Sequence, residues 1–244
     1  FDGTLCSGYM QNQQLIPDCK IDIGEFWGEV TKYARENKVD PTLSYMLILE
    51  NKMYEAGVEI SRENLINYGK QLKLFSGVDD WFGRIKKYGK ENNIEIEHYI
   101  ISSGLTNMIE GCSFYSQIDR VYACEYIFKD ARGLWPKLSV NYSNKVQYLY
   151  RIHKGAFEVN DQEGVNKKKY LGDHIHVPFE NMIFFGDGET DVPTFNVLNK
   201  NNGKSICIYE DQDQKSIDIA KKLFSDGRVH HLVKNDYSEG SEVD

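Results

Sequence analysis

Apolar residues recur at helical spacing in the first third of the chain. They lie three or four positions apart at Ile23, Phe26, Val30 and Tyr33. This spacing predicts a helix to about residue 37, because one face of an α-helix repeats every ~3.6 residues. The segment before it, Cys6 to Lys20, is polar and is predicted to be a linker.

Two further helices are predicted from their start signals. Asp40-Pro41 combines a capping side chain with a proline at the first helical position, and this helix should run to about Ala56. Ser61 is a typical cap for the next helix, which should run through Leu72. The sequence therefore predicts a block of helices near the N-terminus.

After Ser76-Gly77, short apolar runs alternate with helical patterns. Buried strands are predicted at 99–102, 181–185, 205–209 and 229–233, with a strand pair or hairpin at 121–135. Alternation of strand, turn and helix is typical of a doubly wound parallel sheet. The predicted fold class is therefore α/β, with a Rossmann-like parallel sheet core.

Polar groups follow three of the predicted strands. Asp2, Ser102 and Asp187 each come at such a strand end, where binding sites in parallel sheets lie. Asp191 follows Asp187 across a glycine turn, and two carboxylates so close repel each other unless a cation joins them. Mg²⁺ prefers oxygen ligands of this kind. The alternative is a solvated acidic turn that caps a helix.

The two ends of the chain carry motifs that belong together. Phe1-Asp2-Gly3-Thr4-Leu5 and Gly186-Asp187-Gly188-Glu189-Thr190-Asp191 resemble motifs one and four of the haloacid dehalogenase-like (HAD) hydrolases, in their phosphatase form. The family's first motif is Asp-x-Asp-Gly-Thr. By this resemblance Asp2 is the second aspartate, and Phe1 ends a strand whose earlier residues are missing. The nucleophilic first aspartate is expected directly before Phe1, outside the printed sequence.

Two inner stretches agree with the remaining motifs. Ser102-Ser103-Gly104 resembles motif two, with Ser102 as the better match and Ser103 as the reserve. A hydroxyl there, and the amides of a helix starting at about Ser103, can bind phosphate oxygens. Lys145, in a helix predicted to be capped by Ser143, resembles motif three; a lysine is unfavourable there unless an anion shares the site. Lys137, in a predicted loop, is the competing candidate.

The resemblance implies a role for each of these residues. The upstream aspartate attacks phosphorus, while Asp2 protonates the leaving alcohol and then deprotonates water. Magnesium is held by the upstream carboxylate, the main-chain carbonyl of Asp2 and Asp187, with Asp191 acting from outside the ligand shell. Ser102 and Lys145 hold the phosphoryl oxygens. The substrate-binding residues implied are Gly3, Thr4, Ser102, Ser103, Gly104 and Lys145.

The helical block has a counterpart in the same family. In HAD phosphatases, an insertion between motifs one and two is a cap domain that closes over the site. The resemblance implies a core domain at 1–8 and 76–244 and a small all-helical cap domain at 9–75, as in the phosphoserine-phosphatase branch. The alternative is that these helices only pad the fold. Residues 9–75 show no clear carboxylate and arginine arrangement for an amino acid, so phosphoserine is one candidate among small phosphorylated metabolites.

The implied function is magnesium-dependent hydrolysis of a small phosphomonoester. Asp2 favours phosphate over halide, because a halide leaves without a proton. One alternative is a phosphotransferase, which would pass the phosphoryl group to an acceptor alcohol. Another is a catalytically silent HAD-like binding protein, if the residue before Phe1 lacks a carboxylate. A dinucleotide-binding enzyme is disfavoured, because no GxGxxG motif follows a strand.

Composition narrows the class of protein. The chain has 244 residues, 41% of them hydrophobic, which is enough for a substantial core. The net charge of −8 argues against nucleic acid or an anionic membrane as partner. No apolar run reaches the roughly 18 residues of a membrane helix, and no signal peptide is visible. Five cysteines without a CxxC pair are typical of reduced thiols in a cytoplasmic protein without a zinc site. The oligomeric state stays open.

Two stretches near the C-terminus carry weaker signals. Residues 158–172 are polar, with lysines at 167–169, and are predicted to be a solvated loop or a helix with one charged face. His174 and His176 share a face if the chain is extended, but they lack neighbours at metal-ligand spacing. The acidic residues from Asp236 onward are predicted to be frayed.

Overall fold

Contacts along the chain divide it into two units. The computed structural model describes residues 1–130, 132–166 and 175–244. The first unit comprises Phe1–Asn141 together with Asp236–Asp244, and the second comprises Tyr142–Asn235. The second unit is therefore one continuous stretch, whereas the first is made of two.

The first unit contains the predicted block of helices. Its helices are α1 (Met10–Gln13), α2 (Leu15–Asp18), α3 (Ile23–Asn37), α4 (Pro41–Ala56), α5 (Arg62–Gly69), α6 (Val78–Glu91) and α7 (Thr106–Glu110). The side chains of Asp22, Asp40 and Ser61 accept hydrogen bonds from the first-turn amides of α3, α4 and α5. The three helices expected from spacing and start signals are therefore confirmed, although α5 ends at Gly69 rather than Leu72.

The prediction of a polar linker at 6–20 is wrong. The helices α1 and α2 lie in this segment, and Cys6, Met10, Leu15 and Ile16 have no exposed surface. Each helix is only four residues long, so it depends on burial rather than on its own propensity. The chain therefore packs into the first unit directly after the Asp2 turn.

The sheet of the first unit has the order β1-β2-β3. Its strands are β1 (Tyr99–Leu105), β2 (Arg120–Lys129) and β3 (Arg132–Leu138). β1 and β2 pair in parallel, and β2 and β3 form the predicted antiparallel hairpin. Lys137, expected in a loop, lies in β3, where its Nζ is 2.9 Å from Oε1 of Glu125.

The second unit alternates strands and helices. Its elements are α8 (Lys145–Lys154), α9 (Gln162–Asn166), β4 (Ile183–Gly186), α10 (Val192–Lys200), β5 (Lys204–Tyr209), α11 (Gln214–Ser225) and β6 (His231–Lys234). The strands form a parallel sheet of order β4-β5-β6. A cluster of apolar residues packs between its helices and strands: Phe195, Cys207, Ala220, Leu223 and Val229.

The C-terminal residues are docked, not frayed as predicted. Tyr237 is 1% exposed; its hydroxyl donates to the Thr4 carbonyl (2.7 Å) and its amide donates to the Ser76 carbonyl (2.8 Å). The Arg84 guanidinium lies 3.0 Å from the Asp244 carboxylate. Tyrosine and arginine contacts therefore outweigh the polar composition of this segment, which was the basis of the prediction.

The fold class predicted from the sequence is confirmed. The protein is α/β, with parallel strands connected through helices in both units. The division into a core at 1–8 and 76–244 and a cap at 9–75 stays a prediction. Within residues 1–130, 132–166 and 175–244, no helix combines the length and apolar character that membrane crossing requires.

A buried histidine in the first unit links stability to pH. The ring of His98 packs against Trp81 and Phe82, and its Nδ1 is buried without a hydrogen-bond partner. Burial, aided by the Lys86 charge, lowers the pKa of His98 from 6.5 to about 4, against the opposing charge of Asp119. The folded protein therefore keeps this ring neutral at a pH at which the unfolded chain binds a proton.

We expect this difference to destabilise the fold in weak acid. The contribution of His98 is fully present above pH 6.5 and is lost as the pH falls from 6.5 to about 4. Between pH 7 and pH 4.5 the free energy of unfolding should fall by about 2 kcal/mol more in the native protein than in His98→Phe. Urea unfolding at both pH values measures this difference, and equal losses in the two proteins would contradict it.

Candidate active site

The Asp2 carboxylate lies in a tight turn of the first unit. The carbonyl of Phe1 accepts hydrogen bonds from the amides of Thr4 (3.1 Å) and Leu5 (2.7 Å). Gly3 has a φ of +68°, which a side chain would disfavour, so glycine is required there. The Oδ1 atom of Asp2 accepts a hydrogen bond from the amide of Met10 (3.0 Å). The turn thus holds this carboxylate in one orientation.

The serines predicted to bind phosphate lie in an irregular part of β1. In the pairing of β1 with β2, Ile101 opposes Tyr122 and Leu105 opposes Cys124. Three residues of β1, 102–104, therefore lie opposite one of β2, and we call them the β1 bulge. The Ser102 side chain is buried, and its Oγ accepts a hydrogen bond from the Gly104 amide (3.0 Å). A hydroxyl that accepts one bond can still donate its own hydrogen to an anion.

The predicted helix start near Ser103 is wrong. β1 continues to Leu105, and α7 begins only at Thr106 and has five residues. The expected contribution of a helix N-terminus to phosphate binding at Ser103 therefore has no basis in this fold. The candidate anion-binding groups that remain are the Ser102 hydroxyl and the backbone of the β1 bulge.

Met10 connects the Asp2 turn with the β1 bulge. Its amide donates to Asp2, as described, and its Sδ accepts a hydrogen bond from the Leu105 amide (3.2 Å). A Cβ on Gly104 would lie 2.3 Å from the Met10 methyl carbon, so only glycine leaves room for this contact. The structure therefore brings Asp2 and Ser102 into one neighbourhood of the first unit.

The second unit holds the other predicted residues around a buried ion pair. The Lys145 Nζ lies 2.7 Å from Oδ1 of Asp191, and both side chains are at most 10% exposed. The second oxygen of Asp191 accepts a hydrogen bond from the Asp187 amide (3.1 Å). Asp191 therefore joins Lys145 to the turn that carries Asp187.

Local geometry explains these positions. β4 ends at Gly186, and a Cβ there would lie 2.4 Å from Oδ2 of Asp191, so glycine lets the carboxylate approach the strand. Gly188 is extended with open space around it, so the tight turn expected there does not depend on glycine. Lys145 is the first residue of α8, whose N-cap is Asn144 rather than the predicted Ser143.

The negative charges of Asp187 and Asp191 affect the pKa of a neighbouring thiol, that of Cys207. The pKa of Cys207 is raised to about 12, first by burial and then by the charges of Asp187 and Asp191. In the described ranges, no three histidine, cysteine or acidic side chains cluster closely enough to hold a metal ion on their own.

Some predicted positions lie outside the described residues. The lysines at 167–169 and His174 are among them, so the structure does not test the histidine pair. Of the predicted charged stretch 158–172, only residues 158–166 are described, and they contain α9. Sequence reasoning also missed Met10 and Tyr45, whose hydroxyl donates to the Ser103 carbonyl (2.7 Å). No local signal in the sequence marks these two residues, because each contact spans more than fifty positions.

Comparisons with known proteins bear on the fold. No protein-family model matches the chain. An uncharacterized protein of Borreliella burgdorferi is 28% identical over 272 aligned residues, covering 100% of this chain and 91% of that protein. This similarity shows a relative along the whole chain but assigns no activity.

Solved structures resemble the chain over nearly its full length. HAD family hydrolase t0658 from Salmonella enterica serovar Typhi has a TM-score of 0.61 at 16% identity, over 96% of this chain. The chain spans only 64% of the length of that hydrolase. Phosphoserine phosphatase in its apo form has a TM-score of 0.61 at 15% identity, over 97% of this chain and 92% of that one. Its phospho-aspartyl intermediate analogue has a TM-score of 0.53 at 17% identity, over 95% and 89%. The chain therefore shares the fold of these solved structures, which is the fold predicted from its motifs.

Proposed function

We propose that the protein is a magnesium-dependent phosphatase that hydrolyses a small phosphomonoester through an aspartyl-phosphate. The observation that carries this proposal is the buried arrangement of Lys145, Asp191 and the Asp187 turn at the end of a parallel strand, in a chain with this fold. A buried ammonium held by one carboxylate beside a second acidic residue suits a site that binds an anion together with a cation.

The proposal assigns a distinct group to each part of the reaction. Attack on phosphorus is assigned to the aspartate expected directly before Phe1. Ser102 and Lys145 bind the phosphoryl oxygens and neutralise part of the charge that they carry. Ser103, Gly104, Gly3 and Thr4 supply the backbone around the phosphate.

Asp2 is assigned the proton transfers. Its carboxyl donates a proton to the oxygen of the leaving alcohol and then, as a carboxylate, accepts one from the water that cleaves the aspartyl-phosphate. The hydrogen bond from the Met10 amide to Oδ1 holds this carboxyl in the same orientation in both steps.

The donor set around Asp187 fits a hard cation. Both oxygens of Asp191 are used by Lys145 and by the Asp187 amide, and Asp187 is assigned as the carboxylate that would bind the metal, as the resemblance to motif four implies. The main-chain carbonyl of Asp2 and the upstream aspartate would complete the protein ligands, all of them oxygens, as Mg²⁺ prefers. When bound, the ion supplies positive charge to the phosphoryl group.

The substrate is proposed to be a small phosphorylated metabolite. A structural neighbour is described as a substrate-bound phosphoserine phosphatase complex, with a TM-score of 0.57, which supports a substrate of that size. Phosphoserine is one candidate. Residues 9–75 are proposed to act as the cap domain that selects among such compounds.

The direct test is hydrolysis by the protein expressed from its complete coding sequence. We expect turnover of p-nitrophenyl phosphate and of some members of a phosphorylated-metabolite panel with Mg²⁺, and loss of turnover with EDTA that added Mg²⁺ restores. Asp187→Asn should lower this turnover by at least about 10²-fold, while its circular dichroism spectrum and urea midpoint stay close to native.

A matched control removes a carboxylate outside the site. Glu189→Gln lies on the same turn, and Glu189 is exposed, so it should retain native turnover. Equal rates with and without EDTA would refute the role of the metal, and full activity in a folded Asp187→Asn would refute its role as ligand. Release of phosphate and alcohol in equal amounts, also with added glycerol, is expected for hydrolysis and not for phosphotransfer.

A further inference from the structure

The backbone of the β1 bulge finds its partners in side chains. In a regular parallel strand residues 102–104 would pair with β2, but the register skips them and resumes at Leu105, opposite Cys124. The Gly104 amide instead donates to Oγ of Ser102, and the Leu105 amide donates to Sδ of Met10. The Ser103 carbonyl accepts from the Tyr45 hydroxyl. Two of these three partners come from the helical segment 9–75.

The position of Tyr45 is fixed by burial and by packing. It lies on α4, is 4% exposed, and its hydroxyl is 2.7 Å from the Ser103 carbonyl. Burial raises the pKa of Tyr45 well above its ordinary value, so the hydroxyl remains a hydrogen-bond donor over the accessible pH range. The indole of Trp27 packs against its ring at a centroid distance of 5.9 Å. The direction of the hydroxyl is thus fixed by packing.

Met10 holds the other end of the bulge. It has no exposed surface. Its sulfur is a weak acceptor, and it receives the hydrogen bond of the Leu105 amide and so fixes the position of that amide. Its own amide binds Asp2, so one residue contacts both the proposed proton-transfer group and the strand that carries Ser102. Displacement of Met10 would therefore move both groups together.

We propose that Tyr45 and Met10 are positioning residues for the phosphate-binding hydroxyl of Ser102. This inference rests on the proposed function of Ser102. Tyr45 binds the Ser103 carbonyl and Met10 binds the Leu105 amide, so the two side chains hold the β1 bulge from both ends and the Ser102 hydroxyl points to a single place. The helical segment 9–75 thereby helps to build the phosphate-binding loop, in addition to any role in substrate selection.

The test compares two buried tyrosines, Tyr45 on α4 and Tyr126 on β2, each of which donates one hydrogen bond to a main-chain carbonyl. Tyr126 is 3% exposed, and its hydroxyl donates to the Met46 carbonyl of α4 (2.6 Å). This is the same type of hydrogen bond, but its acceptor lies outside the β1 bulge. The Ki of inorganic phosphate, measured as a competitive inhibitor of p-nitrophenyl phosphate hydrolysis, should rise about tenfold or more in Tyr45→Phe. In Tyr126→Phe it should stay within about twofold of native, while both variants lose a similar amount of stability to urea.

A second pair tests the same inference without removing a hydroxyl. Met10→Leu loses the sulfur acceptor but keeps its amide, and Met53→Leu is a control at another fully buried methionine, on α4. The Ki should rise only in Met10→Leu. If each variant matches its control, the inference is overturned even where Ser102→Ala weakens phosphate binding. If Ser102→Ala leaves the Ki unchanged, the proposed function of Ser102 fails, and the inference falls with it.

Discussion

Replacement of Asp2 by asparagine is expected to lower kcat for an alkyl phosphate by about 10²- to 10⁴-fold. An alkoxide is a poor leaving group without a proton, and asparagine has none to give. The amide oxygen of asparagine can still accept the hydrogen bond that the Met10 amide donates to Oδ1, so the turn should keep its shape. The loss of rate would then report proton transfer rather than misfolding.

The leaving group provides the internal control for this variant. p-Nitrophenolate leaves readily without a proton. In single-turnover measurements, Asp2→Asn should therefore slow phosphorylation of the enzyme far less with p-nitrophenyl phosphate than with an alkyl phosphate. Asp22→Asn, at the N-cap of α3, removes a carboxylate elsewhere in the first unit and should leave both substrates unaffected. An equal loss with both substrates in Asp2→Asn would contradict a role as general acid.

Breaking the buried pair of Lys145 and Asp191 should cost both activity and stability. Lys145→Met leaves the Asp191 carboxylate buried without its ammonium partner at 2.7 Å, and we expect a loss of about 3 to 5 kcal/mol in the free energy of unfolding. The double variant Lys145→Met/Asp191→Leu removes both charges and should recover much of this loss. Neither variant should hydrolyse phosphomonoesters, because the charge that holds the phosphoryl group is gone.

An exposed ion pair provides the control for the Lys145 variants. Lys137, the competing candidate for the same motif, pairs with Glu125 at 2.9 Å with its side chain 55% exposed. Lys137→Met should change the free energy of unfolding by less than about 1 kcal/mol and leave turnover intact. Urea unfolding and single-turnover rates measure all three variants. Full activity of Lys145→Met, or loss of activity in Lys137→Met, would reverse the assignment of the motif.

Much of the fold follows from local signals that the chain carries. The α3 and α4 helices are capped by Asp22 and Asp40, whose side-chain oxygens accept hydrogen bonds from first-turn amides, and the cap at Asp40 was predicted from the sequence. The resemblance to motifs three and four also implied that Lys145 and Asp191 act in one site, and the structure places the Lys145 Nζ 2.7 Å from Oδ1 of Asp191. Such features depend on a few residues and on short-range chemistry.

What the sequence did not reveal depends on contacts between distant segments. The short helices α1 and α2 have no periodicity long enough to be recognised, and only burial stabilises them. The β1 bulge differs from a regular strand because Tyr45 and Met10 supply bonds that β2 does not. No pattern within residues 99–105 contains that information.

The docking of residues 236–244 has a consequence for synthesis on the ribosome. These residues bond to Thr4, Ser76 and Arg84, so the first unit cannot be completed until they have emerged from the exit tunnel. Residues 142–235 are contiguous and can fold earlier. The loop that carries Asp2 therefore gains its bond to Tyr237 among the last contacts to form, and loss of that tyrosine would disturb the loop.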